Sequence, residues 1–255
     1  MWSRASEDLS EFSVATAPAT ATHRRLAAFV IAAMLAAYVA VILFAPAPPQ
    51  HIDSFVPTTY GIKLVADIVV AVLLFALFSA SRSPALLVLA SGYLFSSLMV
   101  LAQELTTPAV ITPTGILGGK PQTASWLYFL WRFGFSASVL AYAFQRLRPR
   151  QGESATLGPR SAVLWAATIV LAVVCTLVFA TTEGHDLFPP VSSGGRSLPL
   201  GRYINYGIMA VDFVALVLLA RVRAKSILDL WLVVIVFGLL AECTMMRLFV
   251  DGPYT

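Results

Sequence analysis

Apolar and polar positions fall in long alternating blocks along this chain. Seven apolar runs, each near the roughly 20 residues that a helix needs to cross a bilayer, are parted by short stretches rich in Pro, Gly, Ser and Arg. The runs read as helices over Leu26–Ala45, Gly61–Ser81, Ala85–Glu104, Ser125–Phe144, Ser161–Thr181, Tyr203–Ala220 and Ile227–Phe249. The breakers between them have clear mechanisms. PAPPQHIDSFVPTTY stops helices with proline on both sides, SRSP makes a tight turn, and TTPAVITPTGILGGKPQTAS is a Pro/Gly/Thr loop without acidic residues. The pattern predicts an all-α fold, a polytopic transmembrane helical bundle with seven spans. Residues 1–25 read as a disordered cytoplasmic tail and 26–255 as one transmembrane domain, with an eighth helix expected beyond Thr255. The first run is read as an uncleaved helix, a long signal peptide being the alternative.

Composition narrows the class. The chain is 58% hydrophobic and 12% charged with a mean hydropathy of +0.82, whereas soluble domains carry about 25% charged residues. The sequence pI of 9.3 does not point to nucleic acid, because the basic residues stand at the ends of apolar runs. Arg4, Arg24, Arg25, Arg82, Arg146, Arg148, Arg150, Arg160, Arg221, Arg223 and Lys225 fall on one side; Lys63, Lys120, Arg196 and Arg202 fall on the other. That bias predicts a cytoplasmic amino terminus.

The polar residues within the runs are the candidate chemistry. Asp67, Arg132 and Glu242 each lie roughly 10 Å below the outer boundary, at 1.5 Å of rise per residue. Gln103, Glu104 and Arg247 lie nearer that boundary, and Asp212 lies closer to the middle. Ionised groups in hydrocarbon pair or face a wet cavity, so an outer-half cluster is expected in which Asp67 or Glu242 neutralises Arg132. Its readings are helix stapling, a ligand or ion pocket, or a proton relay. The aromatics of the fourth run, Trp126 to Phe135, read as interfacial belt plus packing, or as a ring-lined pocket. Ser91, Gly92, Ser96 and Ser97 form a small-residue face for close helix packing. Asp229 reads as a helix cap.

Other chemistries find no support. His23, His51 and His185 all lie in tails or loops, which excludes a haem held by paired intramembrane histidines. His51 and His185 with Asp53 or Asp186 make a weak outer metal candidate, and Cys243, Met245 and Met246 are read as packing. No phosphate loop, dinucleotide fingerprint, nucleophile elbow or zinc-protease motif occurs, so no cofactor and no catalytic residue is assigned.

Several segments resemble the fourth type of membrane-associated sensor (MASE) domain: HIDSFVP at 51–57, DIVVAVLLFALFS from Asp67, LLVLASGYLFSSLMV at 86–100, TPTGILGGKPQTASWLYFLWRFGF at 112–135 and SILDLWLVV at 226–234. The resemblance covers most of Ala45–Thr255. It implies a bacterial inner-membrane input module, commonly fused to a histidine kinase or GGDEF diguanylate cyclase, without catalytic activity of its own. The chain departs from the family pattern at Ala102-Gln103, where relatives tend to have Pro-His, at Trp131-Arg132 in place of Trp-His, and at Ser136 in place of Pro. A guanidinium for an imidazole exchanges a titratable group for a permanent charge.

The expected function is therefore sensory input in two-component or cyclic-dinucleotide signalling, with Asp67, Gln103, Glu104, Trp131, Arg132 and Glu242 as the ligand-binding candidates. The expected partners are the lipid bilayer, an unknown small ligand, a cytoplasmic output domain in cis and, by analogy, a second copy in a homodimer. A small-solute transporter or channel is the alternative; a polar path through to the cytoplasmic face would favour it.

Overall fold

The computed structural model describes residues 17–44, 55–107, 116–148, 158–193, 196–222 and 225–250. Its helices are α1 (Ala21–Phe44), α2 (Phe55–Ser81), α3 (Pro84–Thr106), α4 (Thr123–Leu147), α5 (Pro159–Thr182), α6 (Pro199–Arg221) and α7 (Ile227–Val250). A 3-10 turn, His185–Leu187, and a two-stranded antiparallel hairpin, β1 (Ser192–Ser193) with β2 (Arg196–Ser197), lie between α5 and α6. Among the described residues seven helices are long and apolar enough to cross a membrane, as the block pattern predicts.

Local chemistry sets the helix starts. Pro84, Pro159 and Pro199 each open a helix. There the missing N–H costs nothing and the fixed φ favours the helix. Arg82 ends α2 in a left-handed conformation with φ of +55°, so the chain reverses in a short turn before Ser83 and Pro84. Ser226 and Asp229 cap α7 reciprocally. Ser226 N–H donates to Asp229 Oδ2 at 2.8 Å, and Asp229 N–H donates to Ser226 Oγ at 3.2 Å.

α3 and α4 form the centre, packed on each other, with α2 against α3 and α6 against α4. α7 packs on α6, α1 on α7, and α5 on the outside against α3. Close approach of the central pair depends on glycine. A Cβ at Gly92 would lie 2.4 Å from Ser138 Cβ, and one at Gly134 would lie 2.3 Å from Phe95 Cε1. The small-residue face is a packing surface, with Gly92, Ser96 and Ser97 all buried. Outward faces of α1, α2 and α5 present large apolar side chains such as Phe29, Leu43, Ile62, Leu164 and Phe179, as lipid requires.

The two ends of the bundle differ. At the hairpin end, the Gln122 side chain accepts from Val191 N–H and Ser192 N–H and donates to Ser192 O. Trp126 Nε1 donates to Pro189 O at 3.1 Å, so this aromatic also holds the loop. At the opposite end, called here the turn end, a buried knot forms around Asp229. Tyr142 Oη donates to its Oδ1 at 2.7 Å, and Arg146 Nη2 donates to its Oδ2 at 2.8 Å. Asp229 thus caps α7 and also fastens it to α4, a second role its position in the sequence does not show. Backbone bonds from Ala19 N–H to Lys225 O and from Ile227 N–H to Ala17 O fix the segment before α1 to the same turn.

That segment corrects one boundary. Ala21–Arg25 belong to α1 and Ala17–Ala19 are hydrogen-bonded, so the expectation of a tail running to residue 25 fails over its last nine residues. The helix forms because the short Ala-rich stretch THRRLAAF continues the first apolar run without a breaker. Residues 1–16, and with them most of the expected tail, lie outside the described residues. So do His51, Asp53 and the side chain of Arg247.

Candidate functional site

Arg132 is the organising group of the interior. Its position on α4 is fixed by the helix packing just described, about 14 Å along the axis from Thr123. The side chain is fully buried. Its Nη2 donates to Leu239 O at 3.0 Å and to Cys243 Sγ at 2.8 Å, both on α7. Asp212 Oδ2 on α6 stands 3.6 Å from the same nitrogen, and Glu242 Oε2 stands 4.0 Å from Nη1. Asp212 is fully buried, whereas the Glu242 side chain is 48% exposed. The arginine therefore sits between two carboxylates and completes a hydrogen bond to neither.

Several polar atoms around it are buried without a hydrogen-bond partner among the described residues. These are Arg132 Nε and Nη1, both oxygens of Asp212, Ser136 Oγ, Asn205 Oδ1 and Tyr128 Oη. Helical spacing explains why they form a seam. Tyr128, Arg132 and Ser136 recur every four residues on α4, and Asn205 and Asp212 stand seven apart on α6, so each set makes one stripe. Natively buried polar groups are mostly satisfied, so an orphaned set of this kind makes the seam a candidate site.

A second group lies between α2 and α3. Lys63 pairs with Asp67 one helical turn on, and donates to Ser96 Oγ at 3.0 Å; Ser96 Oγ donates to Asp67 Oδ2 at 2.7 Å. Asp67 is neutralised by Lys63, and the expected Asp67–Arg132 pairing does not form. The physical reason is proximity: a lysine at i−4 meets the carboxylate on its own helix before any group across the bundle can.

Trp131 joins the two groups. Its Nε1–H donates to Gln103 Oε1 at 3.0 Å. Lys63 Nζ lies 4.8 Å from the indole and Arg132 Cζ 5.6 Å, so the ring stands between two cations. Tyr128 meets it edge-on at 5.7 Å. Of the expected residues, Arg132 and Glu242 meet at one group, Trp131 and Gln103 border it, and Asp67 belongs to the neighbouring group. Glu104 is half-buried and makes no ion pair among the described residues. The aromatic run divides likewise: Tyr128, Phe129, Trp131 and Phe135 are buried, and Phe133 faces outward.

Sequence reading missed Lys63, Ser136, Asn205 and Cys243 as members. Lys63 carried a signal in its spacing to Asp67. Ser136 stands out only as a departure from the family pattern and Cys243 only as packing, and an isolated Asn in an apolar run says nothing of the face it occupies.

Toward the turn end the polar seam stops. Val139, Ala143, Ala215, Leu219, Leu232 and Val236 are each 0% exposed and fill the space between Asp212 and the Asp229 knot. No group of three or more His, Cys, Asp or Glu able to hold a metal occurs among the described residues.

Among the described residues, seven helices long and apolar enough to span a membrane enclose a buried ionic cluster, the mark of an integral membrane protein. A family model, MASE4, described as a membrane-associated sensor, integral membrane domain, matches residues 50–251, and the chain belongs to that family. Searches of curated proteins and of solved structures gave no match. The chain is thus an integral membrane sensor domain.

Proposed function

We propose that this domain is the input module of a bacterial signal-transduction protein of the histidine kinase or diguanylate cyclase type, set in the inner membrane with its amino terminus in the cytoplasm. The observation that carries the reading is the Arg132–Asp212 seam, buried, charged and incompletely bonded, ending against the apolar block from Val139 to Val236. Such a cluster has a second arrangement close at hand. Arg132 can keep α7 through Leu239 O and Cys243 Sγ, or close on Asp212 of α6. A stimulus that favours one arrangement shifts the population of α7 positions. The same geometry speaks against transport, since the described residues offer no polar path past Asp212 to the turn end.

Orientation is supported by the basic residues Arg82, Arg146, Arg148, Arg160, Arg221 and Lys225, all at the turn end. The small ligand, the output domain in cis and a homodimer belong to the same proposal, by the logic of input modules.

The test joins the chain in frame to a diguanylate cyclase output and reads cyclic di-GMP in cells. Arg132→Gln and Asp212→Asn change the output at constant protein level if the reading holds. Unchanged output in both, with solute flux through proteoliposomes of the unmodified chain, returns the decision to a transporter.

A further inference from the structure

The charges around Arg132 do not balance. One guanidinium faces two carboxylates, Asp212 and Glu242, and hydrogen-bonds to neither. Formal charge in the group is therefore negative by one unit, in a place where an unmatched charge is costly. Of the two carboxylates, Asp212 is the one shut away, whereas Glu242 is 48% exposed. Arg132 gives its Nη2 protons to Leu239 O and Cys243 Sγ, so neither oxygen of Asp212, at 0% exposure, takes a hydrogen bond from it. Ser136, 1% exposed, faces that carboxylate from α4, and its hydroxyl is placed to donate to it. Three oxygens from two helices thus converge with no proton donor among them except a hydroxyl that can turn away.

We propose that Asp212 and Ser136 hold a monovalent cation, sodium, between α4 and α6. Its charge matches the deficit, with one unit sufficing where a divalent ion would reverse the sign. Its preference for oxygen matches the donor set; carboxylate and neutral oxygens at the middle of a helical bundle are where coupling ions bind in membrane proteins. Size agrees as well. Ile208, Val139 and Ala215 close the surroundings at 0–1% exposure, which suits an ion and its water rather than an organic molecule. Tyr128 Oη and Asn205 Oδ1, unbonded nearer the hairpin end, mark a hydrated approach along the same stripes. With the ion bound, Arg132 is left to Glu242 and α7, and the cluster is neutral. This assignment is independent of what the domain signals.

The test is thermal unfolding of the purified chain in detergent, in sodium, potassium and N-methylglucamine chlorides at equal ionic strength. Sodium raises the midpoint by about 3–5 °C per tenfold increase above its dissociation constant, and N-methylglucamine leaves it unmoved. Ser136→Ala, which keeps every charge, weakens the sodium response at least tenfold, and Asp212→Asn abolishes it. Should Asp212→Asn fail to fold, Ser136→Ala decides alone. Equal midpoints in all three salts identify water as the occupant and overturn the proposal; so does a sodium response that Ser136→Ala leaves intact. Either result leaves the sensory reading standing, because cyclase output is measured separately.

Discussion

Trp131 donates its indole N–H to Gln103 Oε1 at 3.0 Å, and both side chains are buried. This bond ties α4 to α3 at the level where two cations flank the same ring. Arg132, the next residue, is held by its own bonds to Leu239 O and Cys243 Sγ.

Gln103→Leu strips the indole N–H of its acceptor and is expected to cost about 1–3 kcal/mol, the penalty of a buried unpaired donor. Trp131→Phe with Gln103→Leu removes both partners and recovers part of that loss. Denaturant unfolding in mixed micelles, run as a double-mutant cycle, measures the coupling; additive losses count against the bond.

Arg132 and Asp212 are expected to be strongly non-additive. Arg132→Met leaves a carboxylate buried without a countercharge and costs about 3–5 kcal/mol, whereas Arg132→Met with Asp212→Asn is milder than the single change. The same unfolding assay reads it. A double variant less stable than Arg132→Met contradicts the pairing.

Gly92 tolerates no side chain. The Cβ of Gly92→Ala meets Ser138 Cβ, which cannot rotate away, and the loss is about 1–3 kcal/mol by overpacking. Ser138→Gly in the same chain clears the contact and restores most of the midpoint. Failure of that rescue places the cost elsewhere.

Asp229→Ala removes the acceptor of Tyr142, Arg146 and Ser226 together, at about 3–5 kcal/mol for a broken buried pair. The effect reaches beyond α7. Hydrogen exchange should rise at Ala19 and Ile227, whose backbone bonds rest on the same turn. Unchanged protection there separates the amino-terminal segment from the knot.

Orientation yields to labelling. In a Cys175→Ala background, Ser193→Cys in the hairpin should react with a membrane-impermeant maleimide in spheroplasts, and Ser81→Cys at the turn end should react only after lysis. Both positions are exposed. The reverse pattern inverts the topology. Cys243, 0% exposed, stays unlabelled in either case.

The spans were legible because a bilayer imposes a length and a composition, and both are written locally. Each helix was placed to within a few residues, α2 differing most by opening at Phe55 rather than Gly61. The cluster was legible in depth and not in direction. Arg132 with Glu242 was anticipated, since both lie at similar distance from one end. Asp67 was assigned to the same arginine because depth alone cannot tell which face of α2 it occupies. Asp212, which the sequence places closer to the middle, is the carboxylate 3.6 Å from the arginine, because a long guanidinium reaches about one turn along its helix. Asn205 carries no signal, and Ser136 stands out only as a departure from the family pattern. Their meaning comes from α6 packing beside α4, a neighbourhood that chain order does not state. The hairpin had a faint cue in the Gly-Gly pair of SSGGRS, easily missed in a loop with two prolines.

The link between Ala17–Ala19 and Lys225–Ile227 has a mechanical consequence. Only 6% of the α1 span is buried, and a helix so placed would drift in lipid if it were held by side chains alone. Two main-chain bonds at its foot, with Met34 seated over Gly238 farther along, make it an outrigger of α7. Any tilt of α7 would therefore be shared by α1 at the rim of the bundle, where the lever arm is longest.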